Sequence, residues 1–170
     1  MSKVKKYMDL ILESVCGLLL VAMLAVVVWQ VISRVVLQNP STITEEFVRF
    51  SLVWLTMLAS AYVVGKKSHL AVTLLSDTLT GSKKRILEIV IQMLFILFAL
   101  IIMIYGGARA TSLTMSQISP SLGLPMGIVY LSVPVSGVLI LLYSILNLIE
   151  LMKNKVTVIP DRENIESDIK

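Results

Sequence analysis

The sequence predicts an all-α integral membrane protein with four transmembrane helices and both termini in the cytoplasm. Of its 170 residues, 56% are hydrophobic and 15% are charged, and the mean hydropathy is +0.88. A soluble domain contains about 45–50% apolar and about 25% charged residues, and a chain this short has too little interior to bury the excess. The composition therefore excludes a soluble globular protein, and the low charge also excludes a disordered one.

Four apolar stretches are long enough to cross a bilayer, whose hydrocarbon core of about 30 Å requires about 20 helical residues. The expected spans are Leu10–Ile32, Ile43–Val64, Ile86–Ala110 and Ile128–Ile149. Residues 1–152 are accordingly interpreted as one membrane domain. Residues 153–170 carry mixed charge and little apolar periodicity, so we interpret them as a polar cytoplasmic tail.

Basic residues predict the orientation, because lysine and arginine accumulate on the cytoplasmic side of membrane helices. They concentrate in the N-terminal segment, in the loop between the second and third spans, and in the tail. These residues are Lys3, Lys5, Lys6, Lys66, Lys67, Lys83, Lys84, Arg85, Lys153, Lys155, Arg162 and Lys170. Both termini are therefore expected in the cytoplasm, and the pI near 9.3 needs no nucleic-acid partner to explain it.

The charged start of the second span is its most informative feature. A helix is expected to begin near Thr42, because Thr42 and Glu45 have capping-box spacing. Arg49 follows Glu45 by four residues and Glu46 by three, so one guanidinium is placed to bridge both carboxylates. One interpretation is a plain helix cap at the level of the lipid headgroups. Another is a brace against a neighbouring helix or a partner protein, and a proton- or cation-coupling site is a further alternative.

The loop Thr111–Gly127, which contains no charged residue, is expected to form a rigid turn into the fourth span. Pro120 and Pro125 fix two backbone angles in it, and Gly123 between them permits a tight turn. Pro134 removes one helical hydrogen bond inside the fourth span, which predicts a kink there.

Reactive side chains are too few for a catalytic or redox centre. Cys16 is the single cysteine and His69 the single histidine, which excludes an intramolecular disulfide, a CxxC pair and a multi-histidine metal site. A small membrane transferase or quinone oxidoreductase would need a set of reactive polar residues that this sequence does not contain. No cofactor or metal is therefore expected in this chain.

Several short motifs follow one another in the order typical of one transporter family. The first half contains Arg34, the sequence TEEFVR at Thr44–Arg49, Trp54, and the sequence KKSHL at Lys66–Leu70. The second half contains the sequence SPSLGLPM at Ser119–Met126, followed by Tyr130 and Pro134. Over roughly residues 10–150, the chain resembles the small membrane subunit, the Q or DctQ-type subunit, of tripartite ATP-independent periplasmic (TRAP) transporters.

The resemblance implies an auxiliary role in the bacterial inner membrane. Such transporters import small carboxylates, including C4-dicarboxylates and sialic acids, at the expense of a sodium gradient. A periplasmic binding protein delivers the substrate, and a large multi-span subunit holds the substrate and sodium sites. The small subunit packs against the large one, anchors it in the bilayer and adds to the periplasmic docking surface, so it needs no substrate, cofactor or metal site of its own.

The resemblance also names candidate contacts with the partner proteins. Bracing or docking is expected of Arg34, Glu45, Glu46 and Arg49. Packing at the partner interface is expected of Trp54 and of the loop that contains Ser119, Pro120 and Pro125. His69 joins this set as part of the KKSHL motif.

An alternative function is a self-contained four-helix proton-coupled transporter, with Glu13 as the coupling acid. The one-sided distribution of basic residues opposes the dual topology common in that group. Glu13 also lies near the expected membrane surface, where a carboxylate is not forced to pair.

Overall fold

The computed structural model describes residues 3–36, 38, 41–66 and 82–153. These residues form α1 (Lys3–Val35), α2 (Thr42–Gly65), α3 (Ser82–Phe98), a π-helical segment (Ala99–Gly106), α4 (Gly107–Thr114), α5 (Gly127–Tyr130) and α6 (Ser132–Lys153). The helices from α3 to α4 run on without interruption and form one span. His69 and residues 154–170 of the expected tail lie outside the described residues.

Four stretches of helix are long and apolar enough to cross a membrane, which confirms the four predicted spans. They are Val4–Val35, Thr42–Gly65, Ile86–Thr114 and Gly127–Met152. Each observed span is longer than its predicted counterpart. The prediction ended each span at the first polar residues, whereas the helix continues through them. The extra turns at the start of α1 carry Lys5 and Asp9, both of which turn out to be buried.

The centre of the bundle is α6, which packs against α2, α3 and the π-helical segment. One apolar cluster joins α2, the π-helical segment and α6 through Ala61, Val64, Ala99, Met103 and Ile140. A second cluster joins α1 to the bundle through Leu12, Leu58 and Tyr143. Because α1 packs mainly on α2, most of its apolar surface stays exposed to the membrane.

Glycines on α2 and α6 let the helices approach closely. A Cβ atom placed on Gly65 would lie 2.5 Å from the Tyr143 ring, and one placed on Gly137 would lie 2.7 Å from the Cβ of Met103. Both distances are shorter than any side chain tolerates, so these two contacts require glycine. Close helix contacts at small residues are typical of membrane proteins, where dispersion forces rather than burial from water hold helices together.

We expect Gly65→Ala to destabilise the bundle, because Tyr143 is fully buried and its ring has no space to move away. Overpacking of this kind costs about 1–3 kcal/mol. Gly17→Ala is the matched control, since no atom lies within 4 Å of a Cβ at that position and alanine favours a helix. Thermal unfolding in detergent should show a midpoint below that of the native protein for Gly65→Ala but not for Gly17→Ala. Equal midpoints for the two variants would contradict the close contact.

The start of α2 differs in detail from its prediction. The helix does begin at Thr42, but Ser41 is the N-cap residue and makes no side-chain capping bond. The Thr44 hydroxyl instead donates to the Ser41 carbonyl at 2.8 Å. The predicted capping box between Thr42 and Glu45 is therefore wrong: Thr42 lies one position inside the helix, where its side chain cannot cap the first turn.

The fourth span has one turn residue, Leu131, between α5 and α6. Pro134 follows three residues later and cannot donate a backbone hydrogen bond to Tyr130. The bonds on either side are helical: the Leu131 N–H donates to the Gly127 carbonyl at 2.9 Å, and the Val135 N–H donates to the Leu131 carbonyl at 3.2 Å. The kink at Pro134 stays a prediction. The π-helical segment of the third span was not predicted, because its sequence is uniformly apolar.

Candidate interaction sites at the two ends of the bundle

The bundle has two polar ends with different architectures. We call the end that holds the start of α2 and residues 115–126 the loop end. The other end holds the start of α1, the C-terminal end of α2 and the last turns of α6, and we call it the terminal end. Among the described residues, the buried charged side chains lie at these two ends: Glu46 at the loop end, and Lys5 and Asp9 at the terminal end.

At the loop end, the Glu46 carboxylate holds residues 119–122 in place. Its Oε2 atom accepts hydrogen bonds from the backbone N–H groups of Ser121 at 3.1 Å and Leu122 at 2.7 Å. Glu46 itself is 8% exposed, so these bonds form where little water competes for them. Bonds to an ionised acceptor are about twice as strong as neutral ones, and this carboxylate therefore clamps the loop onto the start of α2.

The clamped loop is a compact turn. The Ser119 N–H donates to Leu124 at 2.9 Å, and the Met126 N–H donates to Gln117 at 2.8 Å. Gly123 has a φ of 66°, a left-handed conformation that costs glycine little. These bonds and the Glu46 clamp confirm the turn that the prolines predicted.

The other two charged residues of the predicted cluster form a separate pair. Arg49 Nη2 lies 3.1 Å from Glu45 Oε1, and both side chains are more than half exposed. The predicted bridge from one guanidinium to both carboxylates is thus divided: Arg49 pairs with Glu45, whereas Glu46 turns to the loop. In α2, Glu46 lies 100° around the helix from its neighbour Glu45, which places the two carboxylates on different faces.

The remaining predicted contact residues are spread over the loop end. Arg34 is exposed in the last turn of α1, where a cation interacts favourably with the helix dipole. Trp54 is half-buried and lines an apolar groove of about 260 Å³ between α1, α2 and the loop. Ser119 is 2% exposed, Pro120 is exposed, and Pro125 is half-buried beside Ile118 in the turn. The structure thus places Glu46 beside the loop that contains Ser119, whereas Arg34 lies apart from this contact on α1.

At the terminal end, a buried polar network ties α1 to α2 and α6. The Tyr143 hydroxyl donates to Asp9 Oδ1 at 2.8 Å, and Lys66 Nζ lies 3.4 Å from Asp9 Oδ2. The Lys66 ammonium also lies 5.3 Å from the centre of the Tyr62 ring, within the range of a cation–π contact. Asp9 therefore connects three helices through a hydrogen bond and an ion pair.

The same network continues through Lys5. Its ammonium donates to Asn147 Oδ1 at 2.7 Å and lies 3.9 Å from Glu150. The Asn147 amide donates in turn to the Val64 carbonyl at 3.3 Å, near the last turn of α2. Lys5 is 4% exposed and Asn147 is fully buried, so this end of the bundle is closed by polar contacts that water reaches poorly.

Sequence reasoning missed this network, although a usable signal was present. Lys5 and Asp9 are four residues apart, as are Tyr143 and Asn147, so each pair projects from one helix face. All four belong to the helix ends that the expected topology places on the same side of the membrane. Polar pairs at matching depth on two helices are therefore a signal for a buried contact between them.

The Asp9–Lys66 pair gives the protein a defined response to alkaline pH. The hydrogen bond and charge of Asp9 raise the pKa of the Lys66 ammonium above its ordinary value of 10.5. Because the folded protein holds this proton more tightly than the unfolded chain, the pair contributes its full stability below pH 10.5. That contribution is lost as the pH rises through the higher pKa of the folded state.

We therefore expect the stability difference between the native protein and Lys66→Met to stay constant from pH 7 to about pH 10 and to shrink at higher pH. Thermal unfolding in detergent across this range measures it. If the stability difference between the two proteins instead shrinks between pH 6 and pH 9, the Asp9–Lys66 pair is not the source of that difference.

The described residues contain no group of three or more histidine, cysteine, aspartate or glutamate side chains placed to hold a metal ion. Both polar ends are built from groups that hold other parts of this chain: a carboxylate on two amides, and a lysine on an asparagine. Such arrangements fix helices and a loop in position.

Comparison with known proteins assigns this architecture to a family. The family model of the DctQ component of tripartite ATP-independent periplasmic transporters matches residues 23–154. The chain belongs to the DctQ family. It is therefore a TRAP small permease subunit, a transporter component and not an enzyme.

Individual relatives agree with this assignment. A TRAP transporter small permease protein of Haemophilus influenzae is 30% identical over 136 residues, which cover 80% of this chain and 82% of the relative. The sialic acid TRAP transporter small permease protein of Vibrio cholerae is 27% identical over 151 residues, which cover 88% of this chain and 86% of the relative. The resemblance inferred from the short motifs is thereby confirmed.

Proposed function

We propose that this DctQ-type subunit is a scaffold in a sodium-coupled, binding-protein-dependent importer of the bacterial inner membrane. The supporting observation is the position of its buried charges. Among the described residues these charges lie at the two ends of the bundle, and each bonds to another part of the chain. Within the described residues, a carboxylate substrate crossing this bundle would meet no buried cation between the two ends, which supports a proposal that the large multi-span subunit carries out transport.

The proposed orientation places the terminal end in the cytoplasm and the loop end in the periplasm. It is supported by the basic residues of the N-terminal segment and of the loop after α2. The turn clamped by Glu46 then faces the periplasm beside the exposed Glu45–Arg49 pair. We propose this surface as the part of the subunit that helps to dock the periplasmic binding protein, because a rigid surface loses little entropy on binding.

The proposed substrate is a small carboxylate of the sialic acid or C4-dicarboxylate class. The Vibrio cholerae relative is named for sialic acid, which supports a carboxylate without choosing between the two classes. Sodium coupling belongs in this proposal to the large subunit, and we expect no cofactor in this chain. The alternative of a self-contained proton-coupled transporter has no comparable support, since Glu13, its proposed coupling acid, is exposed on α1.

Two experiments test the proposed function. Affinity purification of this chain from cells that also express the large subunit and the binding protein should recover the large subunit. Deletion of this chain should abolish uptake of radiolabelled sialic acid or succinate, whichever the intact system transports. A chain that purifies as a long-lived monomer and never recovers a large membrane protein would contradict the proposal.

The exposed Glu45–Arg49 pair provides a test within the chain. Arg49→Glu should impair uptake, because it replaces the ion pair between Arg49 and Glu45 with two like charges one helical turn apart on the proposed docking surface. Exchanging the two charges, by Glu45→Arg together with Arg49→Glu, should restore uptake in part. Full uptake by the single variant would indicate that these residues only stabilise the first turns of α2.

A further inference from the structure

A carboxylate lies in the middle of the apolar part of the bundle, on the exposed side of α1. Glu13 directly follows Leu12, which belongs to one buried cluster with Leu58 of α2, so Glu13 is at the level of Leu58. The nearest charged residues along α2 are Lys66 and Arg49, and each lies about 12–14 Å from Leu58 at 1.5 Å per helical residue. Glu13 is therefore deeper than the position near the membrane surface that the sequence suggested.

The bundle does not pair this carboxylate. Glu13 has an exposed side chain, and within the described part of the chain it forms no hydrogen bond or ion pair. Asp9, one turn nearer to the terminal end, is by contrast buried and bonded to Tyr143 and Lys66. Ionisable residues at membrane depth are costly and almost always pair with another group. The pairing group for Glu13 therefore comes from another molecule.

The surface around Glu13 has the spacing of a helix-packing seam. Positions at alternating intervals of three and four residues form one continuous stripe on a helix. On α1 such a stripe is exposed throughout, and it consists of Leu10, Glu13, Gly17, Leu20 and Leu24. The stripe one position earlier contains the buried residues Asp9, Leu12 and Met23, which face the bundle. We call the exposed stripe the outer seam of α1.

Gly17 lets another backbone approach beside Glu13. In the described structure no atom lies within 4 Å of a Cβ placed at Gly17, so packing within this chain does not require a glycine there. Glycine also weakens a helix interior relative to alanine. Small residues in membrane helices are enriched where a second helix approaches closely, so the seam suits a helix that passes one turn from the carboxylate.

The depth and charge of Glu13 argue against a lipid as the occupant of the outer seam. A hydrocarbon tail offers no hydrogen-bond donor, and the phosphate of a headgroup repels a carboxylate. The ammonium group of a zwitterionic headgroup lies at the membrane surface, at about the level of Lys66 and therefore roughly 12 Å from Glu13 along the bundle. A protein helix, in contrast, can carry a cation to this depth.

A second copy of this chain is also unsuited to the outer seam. Among the described residues, the lysines and arginines lie toward the ends of the spans, and none is level with Glu13. A symmetric contact between two copies would also bring two Glu13 carboxylates together, which is unfavourable. The complementary cation therefore belongs to a different protein.

We propose that the outer seam of α1 is the docking surface for one transmembrane helix of the large TRAP subunit, and that this helix carries a lysine or arginine opposite Glu13. This inference rests on the proposed function and names the contact through which the two subunits join. The spacing of the seam favours a crossing angle of about 20°, with the closest approach at Gly17. The contact also accounts for α1 being the least buried of the four spans.

Copurification of the large subunit tests the role of the carboxylate. Glu13→Leu should reduce the amount of large subunit that purifies with this chain about tenfold or more, as expected for the loss of a hydrogen bond to a charged group. The matched control is Ser14→Leu, an exposed polar residue about 100° further around α1, which should leave that amount unchanged. Neither variant should lower the unfolding temperature of the small subunit alone. Unchanged recovery with Glu13→Leu would overturn the proposal.

Charge reversal identifies the cation. Glu13→Lys should reduce recovery of the large subunit further than Glu13→Leu, because it places two cations together. Each lysine and arginine in the spans of the large subunit is then replaced by glutamate in the presence of Glu13→Lys. One of these replacements should restore recovery. Restoration by none of them would overturn the assignment of a cation opposite Glu13.

Photocrosslinking tests the seam without altering Glu13. A photoreactive amino acid is placed at Leu20 on the seam or, as the matched control, at Leu97 of α3, and these leucines are 48% and 55% exposed. Each variant is expressed with the large subunit and irradiated in membranes. The expected result is an adduct with the large subunit from Leu20 and none from Leu97. Only lipid adducts from Leu20, or an adduct with a second copy of this chain, would overturn the proposal.

The unmodified complex separates the two proposals. If the large subunit does not purify with the native chain, the proposed function itself fails. If it does purify, but Glu13→Leu and the Leu20 crosslink give the contrary results above, only the outer seam of α1 is the wrong surface.

Discussion

Asn147→Leu is expected to cause one of the two largest losses of stability in this protein. The substitution removes the acceptor that lies 2.7 Å from the Lys5 ammonium and the donor that bonds the Val64 carbonyl. Lys5 is 4% exposed, so water replaces the lost bond poorly. Losing a hydrogen bond to a charged group costs about 1.5–3 kcal/mol, and Lys5 keeps its contact with Glu150 at 3.9 Å. Unfolding of the purified protein in mixed detergent micelles measures the loss.

Removing the charge as well should recover much of that stability. In Lys5→Met with Asn147→Leu, two apolar side chains replace the buried polar pair, an exchange that is often neutral. The double variant is therefore expected to be more stable than Asn147→Leu alone. A single variant as stable as the native protein, or a double variant less stable than the single one, would contradict the role assigned to this contact.

Glu46→Ala is expected to release the loop at the other end of the bundle. It removes the acceptor of the Ser121 and Leu122 amides, and hydrogen bonds to a charged group contribute about 1.5–3 kcal/mol each. We expect a loss of roughly 3 kcal/mol in unfolding free energy and faster hydrogen exchange of these two amides. Uptake should fall with it, because the proposed docking surface would no longer be rigid.

Two further variants show whether the loss of stability and the faster exchange in Glu46→Ala come from the lost hydrogen bonds between Glu46 and the loop. Glu46→Gln keeps an acceptor oxygen without the charge, so it should lose less stability than Glu46→Ala. Glu45→Gln changes the adjacent exposed carboxylate and should leave exchange at Ser121 and Leu122 unchanged. Unaltered exchange at these amides in Glu46→Ala would show that the loop holds its shape without the carboxylate.

The fold was predictable from the sequence because membrane spans follow from length and hydropathy alone. The kink near Pro134 stays a prediction, and its reason is equally local, the missing N–H of proline. The π-helical segment Ala99–Gly106 was not predicted; its Met103 packs closely against Gly137 of α6. Packing between helices of this kind leaves no periodic mark in a uniformly apolar sequence.

The candidate site was predictable in its residues but not in its pairings. The sequence places Glu45, Glu46 and Arg49 within one turn and a half, and spacing alone permits either carboxylate to bind the guanidinium. The choice is made by the loop, whose Ser121 and Leu122 amides approach Glu46 from 75 residues or more along the chain. The Lys5–Asn147 contact, across 142 residues, is hidden from local reasoning in the same way.

Together the two ends hold the bundle through buried polar contacts. The terminal end fixes α1, which otherwise packs mainly on α2, and the loop end fixes the turn between the third and fourth spans.

Reconstitution into liposomes tests the central proposal most directly. Sodium-driven uptake of radiolabelled substrate is measured with the large subunit and binding protein, with and without this chain, and with this chain alone. We expect uptake only when all three proteins are present and none by this chain alone. Substrate uptake by this chain alone, or full uptake in its absence, would contradict the scaffold role.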